Sequence, residues 1–153
     1  MSGLGKSKSC FITLVERKSR FYKAIKSPNR HADVVARLII DYIKQYPSEL
    51  VKTITTDNGK EFVNQKVKFY FENNNIDFIQ SSPNHPQTNG VIEVAHKNLQ
   101  KAINKEFLIK KEKFDLEQCI IETLEYYNYH KIHSTTGYTP FDLKDTILIL
   151  SIM

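Results

Sequence analysis

The chain has 153 residues, 41% of them apolar and 25% charged, which suits one globular domain with its own core and is too short for two. A net charge of +5 and an isoelectric point near 9.1 fit an anionic partner without identifying one. Cys10 and Cys119 stand far apart with no CxxC pair, which excludes a disulfide framework and a zinc site of ordinary ligand spacing.

The first predicted element is a strand over Cys10 to Val15, an apolar run of β-formers. The stretch RFYKAIK from Arg20 alternates roughly and completes a hairpin through ERKS. His31 to Tyr46 repeats apolar residues at helical spacing until Pro47 stops it. VKTITT, from Val51, is a short β-branched strand ending at Asp57, and Phe62 to Asn73 is an amphipathic helix broken by NNN.

IDFIQ from Ile76 is a further strand, and Ser81 to Thr88 is a loop by composition. A helix then runs from about Asn89, its candidate N-cap, to Phe107, and a last one from Leu116 to Tyr129. Residues 1–145 are read as one domain, and 146–153 as a short apolar tail outside the pattern. That order of strands and helices predicts an α/β fold with a mixed sheet flanked by helices. The start MSGLGKSKS has no apolar signal segment and the tail TILILSIM cannot span a bilayer, so the expectation is an intracellular protein without membrane contact.

Two acids hold the chemical interest. Asp57 sits at a strand's carboxyl end, where α/β folds concentrate function, and Glu93, near the start of a helix, follows after 35 intervening residues. Converging there, two carboxylates offer oxygen ligands suited to Mg2+ or Mn2+. The residues alone leave a second account open: a turn-forming Asp and a Glu favoured by its own helix dipole. Glu93, Lys97, Gln100 and Asn104 share one helix face beside the apolar stripe Ile92, Ala95, Leu99 and Ile103. That face suits a phosphate backbone, and equally an ordinary Glu–Lys surface pair.

TDNGKEF (56–62) together with HPQTNGVIE (85–93) resembles the integrase catalytic core of retroviruses, long terminal repeat retrotransposons and related DDE transposases. LVERKSRF (14–21) resembles that family's second strand, with Glu16 where Asp is commoner. YYNYHKIHSTTGYTPFDL (126–143) resembles its closing segment. The likeness runs over residues 9–143 with the four motifs in order.

The resemblance implies an RNase H-like fold and a polynucleotidyl transferase for DNA integration. Such a core holds two Mg2+ or Mn2+ ions, acts on element ends and target DNA as a homo-oligomer, and is nuclear in a eukaryotic host. It makes Asp57 and Glu93 the catalytic metal ligands, with Asn58 and Gly59 shaping the turn. Pro86, Gln87, Asn89 and Gly90 become a mobile active-site loop, and Lys97 a contact to element-end DNA, with Gln100 and Asn104 beside it.

The family also expects an Asp on a strand ahead of the hairpin, and no Asp precedes Asp33 here. Glu16 lies at the far end of its strand and replaces it poorly. The expectation is therefore a fragment, a decayed copy or an incomplete gene model, with two of three carboxylates and an incomplete two-metal site. The alternative is an inactive remnant that keeps DNA binding or oligomerisation; a nuclease of the same fold fits the HPQTNG loop less well. His85 and His133 are read as packing residues, and Tyr126, Tyr127 and Tyr129 as core and rim. Lys105, Lys110, Lys111 and Lys113 are open between a solvated face and phosphate contact.

Overall fold

The computed structural model describes residues 10–47, 49–56, 59, 62, 64–80, 86–143 and 147–152, with the backbone alone at 86–89 and 147–152. The hairpin forms as its sequence predicts. β1 (Cys10–Glu16) pairs antiparallel with β2 (Tyr22–Ser27) in the register Val15 opposite Tyr22. β1 sends Ile12 and Leu14 into one buried cluster and Phe11 and Val15 toward another, so it is apolar on both faces.

α1 (Ala32–Ile43) buries Val35, Ile39, Tyr42 and Ile43 of the stripe expected from the sequence and also Ala36, while Leu38, expected in that stripe, is only partly buried. β3 (Thr53–Thr56) and β4 (Asp77–Gln80) pair in parallel, joined through α2 (Gln65–Asn73). α2 starts later than Phe62 because the Asn64 side chain accepts a hydrogen bond from the Lys66 amide, which fixes the helix start. Asn75, at φ 54°, turns the chain out of that helix.

α3 (Pro86–Lys110) is the longest element and is followed by a 3-10 turn at Lys111–Lys113 and by α4 (Leu116–Tyr129). The Asp115 side chain caps α4 by accepting from the Gln118 amide. Two apolar layers result. Ile12, Leu14 and Ile54 pack against α1 and α2, while Val15 and Tyr22 pack against Ile92, Leu99, Ile120 and Leu124 of α3 and α4. The fold is a mixed sheet between helices, as the α/β pattern predicts.

Two expectations differ from the structure. Residues 86–90 are helical rather than loop, so Asn89 lies inside α3 and is not its cap. Pro86 stands at the first helical position, where a fixed φ and a missing N–H cost nothing. The tail also has a place in the pattern. Ile147–Ile152 is β5, antiparallel to β1 and parallel to β3, and the sheet order is β2-β1-β5-β3-β4.

Among the described residues, β1 and β3 thus meet in the sheet only through β5. Deleting residues 147–153 should expose the backbone edges of both at once and abolish cooperative unfolding, followed by circular dichroism on heating. A truncated chain with an unchanged midpoint would show that β5 is dispensable. Asn128 offers a second test. Its side chain accepts from the Tyr22 amide at 2.8 Å and donates to the Tyr22 carbonyl at 2.7 Å, both buried. Asn128→Ala orphans both groups and should cost about 3 kcal/mol in urea unfolding, with a loss below about 1 kcal/mol contradicting the assignment.

Candidate functional site

α3 carries three distinct faces. Ile92, Ala95, Leu99 and Ile103 are buried, and Glu93, Lys97, Gln100 and Asn104 are all exposed beside them. Gln100 donates its side-chain amide to Asn104 Oδ1 at 2.9 Å, so the two amides are aligned along the helix. Val91, Val94 and Asn98 form the third face, roughly a third of a turn further round.

What holds this helix to the sheet is polar as well as apolar. His96, one turn after Glu93, lies with its Nε2 2.8 Å from Thr13 Oγ1 in the middle of β1. Thr13 is fully buried, so this contact fixes both the rotation and the height of α3 over β1. The Tyr22 ring lies 6.1 Å from the His96 ring, and burial pushes the Tyr22 phenol above its ordinary value. That phenol stays protonated and is no general base. The glutamate end of α3 is therefore set by a threonine-histidine contact that sequence spacing does not reveal. The only signal was one polar residue within the otherwise apolar CFITLV.

Glu16 has a structural occupation. It is 2% exposed, and its carboxylate accepts from the Lys18 amide at 3.1 Å and the Ser19 amide at 2.9 Å, and from the Ser19 hydroxyl. These bonds shape the β1–β2 turn, in which Arg20 adopts φ 68°. A carboxylate so engaged is poorly placed to ligate a metal.

Asp57 and Asn58 lie outside the described residues, so the structure gives no distance between the two candidate ligands. β3 ends one residue before Asp57, with Thr55 and Thr56 buried. Glu93 is exposed on α3 and available to a cation or to solvent. Pro86, Gln87, Asn89 and Gly90 form the first turns of the helix that carries it, which corrects the loop reading of their conformation. Among the described residues, no three His, Cys, Asp or Glu side chains converge where they could hold a metal ion. Both cysteines are buried thiols. No helix among the described residues is long and apolar enough to cross a membrane.

The basic run divides. Lys110 pairs with Glu106 at 3.2 Å, which raises its ammonium above the ordinary value, while Lys105, Lys111 and Lys113 are exposed. Tyr127 is half-buried in the α3–α4 layer, and Tyr126 and Tyr129 are exposed at its rim.

Residues 2–86, more than half of the chain, match the family model described as integrase core domain. The matched segment contains Asp57 and ends before Glu93. The chain is 28% identical over 141 residues to the retrovirus-related Pol polyprotein from transposon gypsy of Drosophila melanogaster, covering 87% of this chain but only 13% of that protein. Its structure is similar to the catalytic core domain of BIV integrase, with a TM-score of 0.68, 25% identity, and coverage of 87% and 84% of the two chains. It is also similar in fold to the HTLV-2 integrase catalytic core domain in complex with magnesium, in a trimeric form, at a TM-score of 0.68 and 18% identity over 93% and 88% of the two chains.

Glu16→Ala should destabilise the protein by about 2–4 kcal/mol in chemical denaturation, because a buried hydroxyl and two turn amides lose their acceptor. Under conditions where it stays folded, its response to manganese should match the wild type. A variant that keeps wild-type stability but loses that response would make Glu16 a ligand instead.

Proposed function

Because the chain belongs to the integrase core domain family, we propose that it forms the core of a mobile-element integrase that binds DNA across the exposed face of α3. The observation that carries this reading is the separation of that helix into a buried apolar stripe and a face presenting Glu93, Lys97, Gln100 and Asn104. A carboxylate leads that face, a cation follows, and two aligned amides complete it, which matches a phosphodiester strand held at one end through a metal. The substrates are element ends and target DNA, the working form is a homo-oligomer, and in a eukaryotic host the place of action is the nucleus.

Asp57 and Glu93 are the proposed ligands of Mg2+ or Mn2+. Their oxygen donors fit a hard cation, and when bound the metal supplies charge stabilisation at the scissile phosphate. Glu93 sits on a helix locked to β1 by His96 and Thr13, so its backbone is fixed before any ion arrives. Two carboxylates under-ligate a pair of ions.

One observation favours a second reading, a non-catalytic DNA-binding module of the same ancestry. β5 is the strand beside β3, and its sequence ILILSI carries no carboxylate to join Asp57 and Glu93.

Fluorescence anisotropy with labelled duplex and branched DNA tests the interface. Affinity should fall steeply with salt, and Lys97→Gln should lower the salt slope by about 1. Binding that ignores salt, or that Lys97→Gln leaves untouched, contradicts the placement. Manganese should broaden resonances around Glu93, and Asp57→Asn should reduce the effect. Broadening centred elsewhere removes both carboxylates from the metal. Cleavage and joining of labelled element ends separates the two readings: activity lost in Glu93→Gln makes the chain an enzyme, and no activity with intact DNA binding makes it the module.

A further inference from the structure

The third face of α3 lines a cleft that the metal-and-DNA face does not use. Its volume is about 450 Å³, within the range for small-ligand sites. Val91 and Val94 of α3 form one wall, and Tyr127, Lys131 and the loop from Ile132 form the other. Arg20 closes the end from the β1–β2 turn. Two permanent cations and one histidine line the cleft, and among the described residues no carboxylate does.

Three features set it apart from a chance basic surface. Arg20 holds φ 68°, a backbone region that Gly or Asn enters at less cost, so the turn carries an arginine against its own conformational preference. Neither Arg20 nor Lys131 has an acidic partner among the described residues. His133 Nε2 is shut off from solvent without a hydrogen-bond partner among the described residues, a condition a bound acceptor or donor would end.

The loop bearing His133 is braced: its amide donates to the Tyr138 carbonyl at 3.1 Å, and its carbonyl accepts from the Gly137 amide at 2.7 Å. Gly137 takes φ 74°, the left-handed conformation this turn requires. Lys131 Nζ lies 5.6 Å from the Tyr127 ring centroid, and the His133 ring packs edge-on to that ring at 4.7 Å. Cations, an aromatic face and valine side chains therefore surround one space, which is the combination that receives a phosphate with its attached sugar and base.

We propose that this cleft is a second nucleic-acid subsite, holding one nucleotide of a single strand with its phosphodiester between Arg20 and Lys131 and its nucleoside against Tyr127, Val91 and Val94. The proposal rests on the DNA-binding reading above and places a strand on a different side of α3 from Lys97. His133 reports on occupancy. Its burial first, and then the charges of Lys131 and Arg20, hold its imidazole below the ordinary value, and no charged side chain of α3 lines the cleft to offset them. A bound anion offsets both cations and moves that value upward.

The test is imidazole NMR of the full chain titrated with the dinucleotide pdTpdT, and in parallel with inorganic phosphate. The dinucleotide should raise the pH midpoint of His133. Arg20→Asn and Lys131→Gln should each weaken its binding about tenfold, the loss of one charge-assisted contact. Arg20→Asn relieves the turn, so it should be at least as stable as the wild type and its loss of binding cannot be laid to misfolding. An unmoved His133, or wild-type affinity in Arg20→Asn, overturns the proposal, as does phosphate binding as tightly as the dinucleotide. Wild-type chain that binds no duplex or branched DNA brings down the parent reading. Loss of DNA binding in Lys97→Gln alone, with the cleft variants unaffected, removes only the second subsite.

Discussion

A strand inside a sheet must pair its backbone on both sides or leave buried amides unsatisfied, and for β1 and β3 that demand falls on β5. β1 carries the hairpin and receives α3 through Thr13 and His96; β3 leads to Asp57. These two strands do not touch in the ladder, so their relative position is set by six residues of backbone between them. α3 and the end of β3 are referenced to each other through that strand. An error of one residue in its register would slide the two halves of the sheet past one another.

The hairpin turn shows how local chemistry supports that frame. Glu16 accepts from the turn amides and the Ser19 hydroxyl, and the turn then throws Arg20 into a left-handed backbone. The acid therefore serves the arginine, whose side chain reaches the cleft beside α3. Asn128 fixes Tyr22 on the other side of the same turn. A motif read as a run of letters, LVERKSRF, is physically one capped turn.

Much of this was legible. The stripe from Val35 to Ile43 and the one from Ile92 to Ile103 specify which helix faces are buried, since burial needs only period and amphipathic contrast. Integrase-core ancestry was legible from the motifs TDNGKEF and HPQTNGVIE. The tail was not, because a central strand reads as an unbroken apolar run and carries no period to distinguish it from a loose end. The helix start at Pro86 was missed for a different reason. Proline, asparagine and glycine signal a loop by composition, while proline alone at a first helical position signals the opposite. His96 with Thr13, and Asn128 with Tyr22, are long-range pairs, and nothing in local spacing announces either.

The Asn128 clamp has a consequence beyond stability. β2 is an edge strand, and an edge with free amides and carbonyls invites a neighbouring chain to add itself to the sheet. Here the Tyr22 positions are already taken by a side chain from α4, and Lys23 and Lys26 stand exposed along the rest. The opposite edge, β4, is four residues long and bounded by the exposed polar side chains of Asp77 and Gln80. The β2 edge is thus partly capped, whereas β4 is kept short and also exposes Ile79. On the β2 side, a second chain would have to displace the Asn128 side chain before it could add a strand at Tyr22.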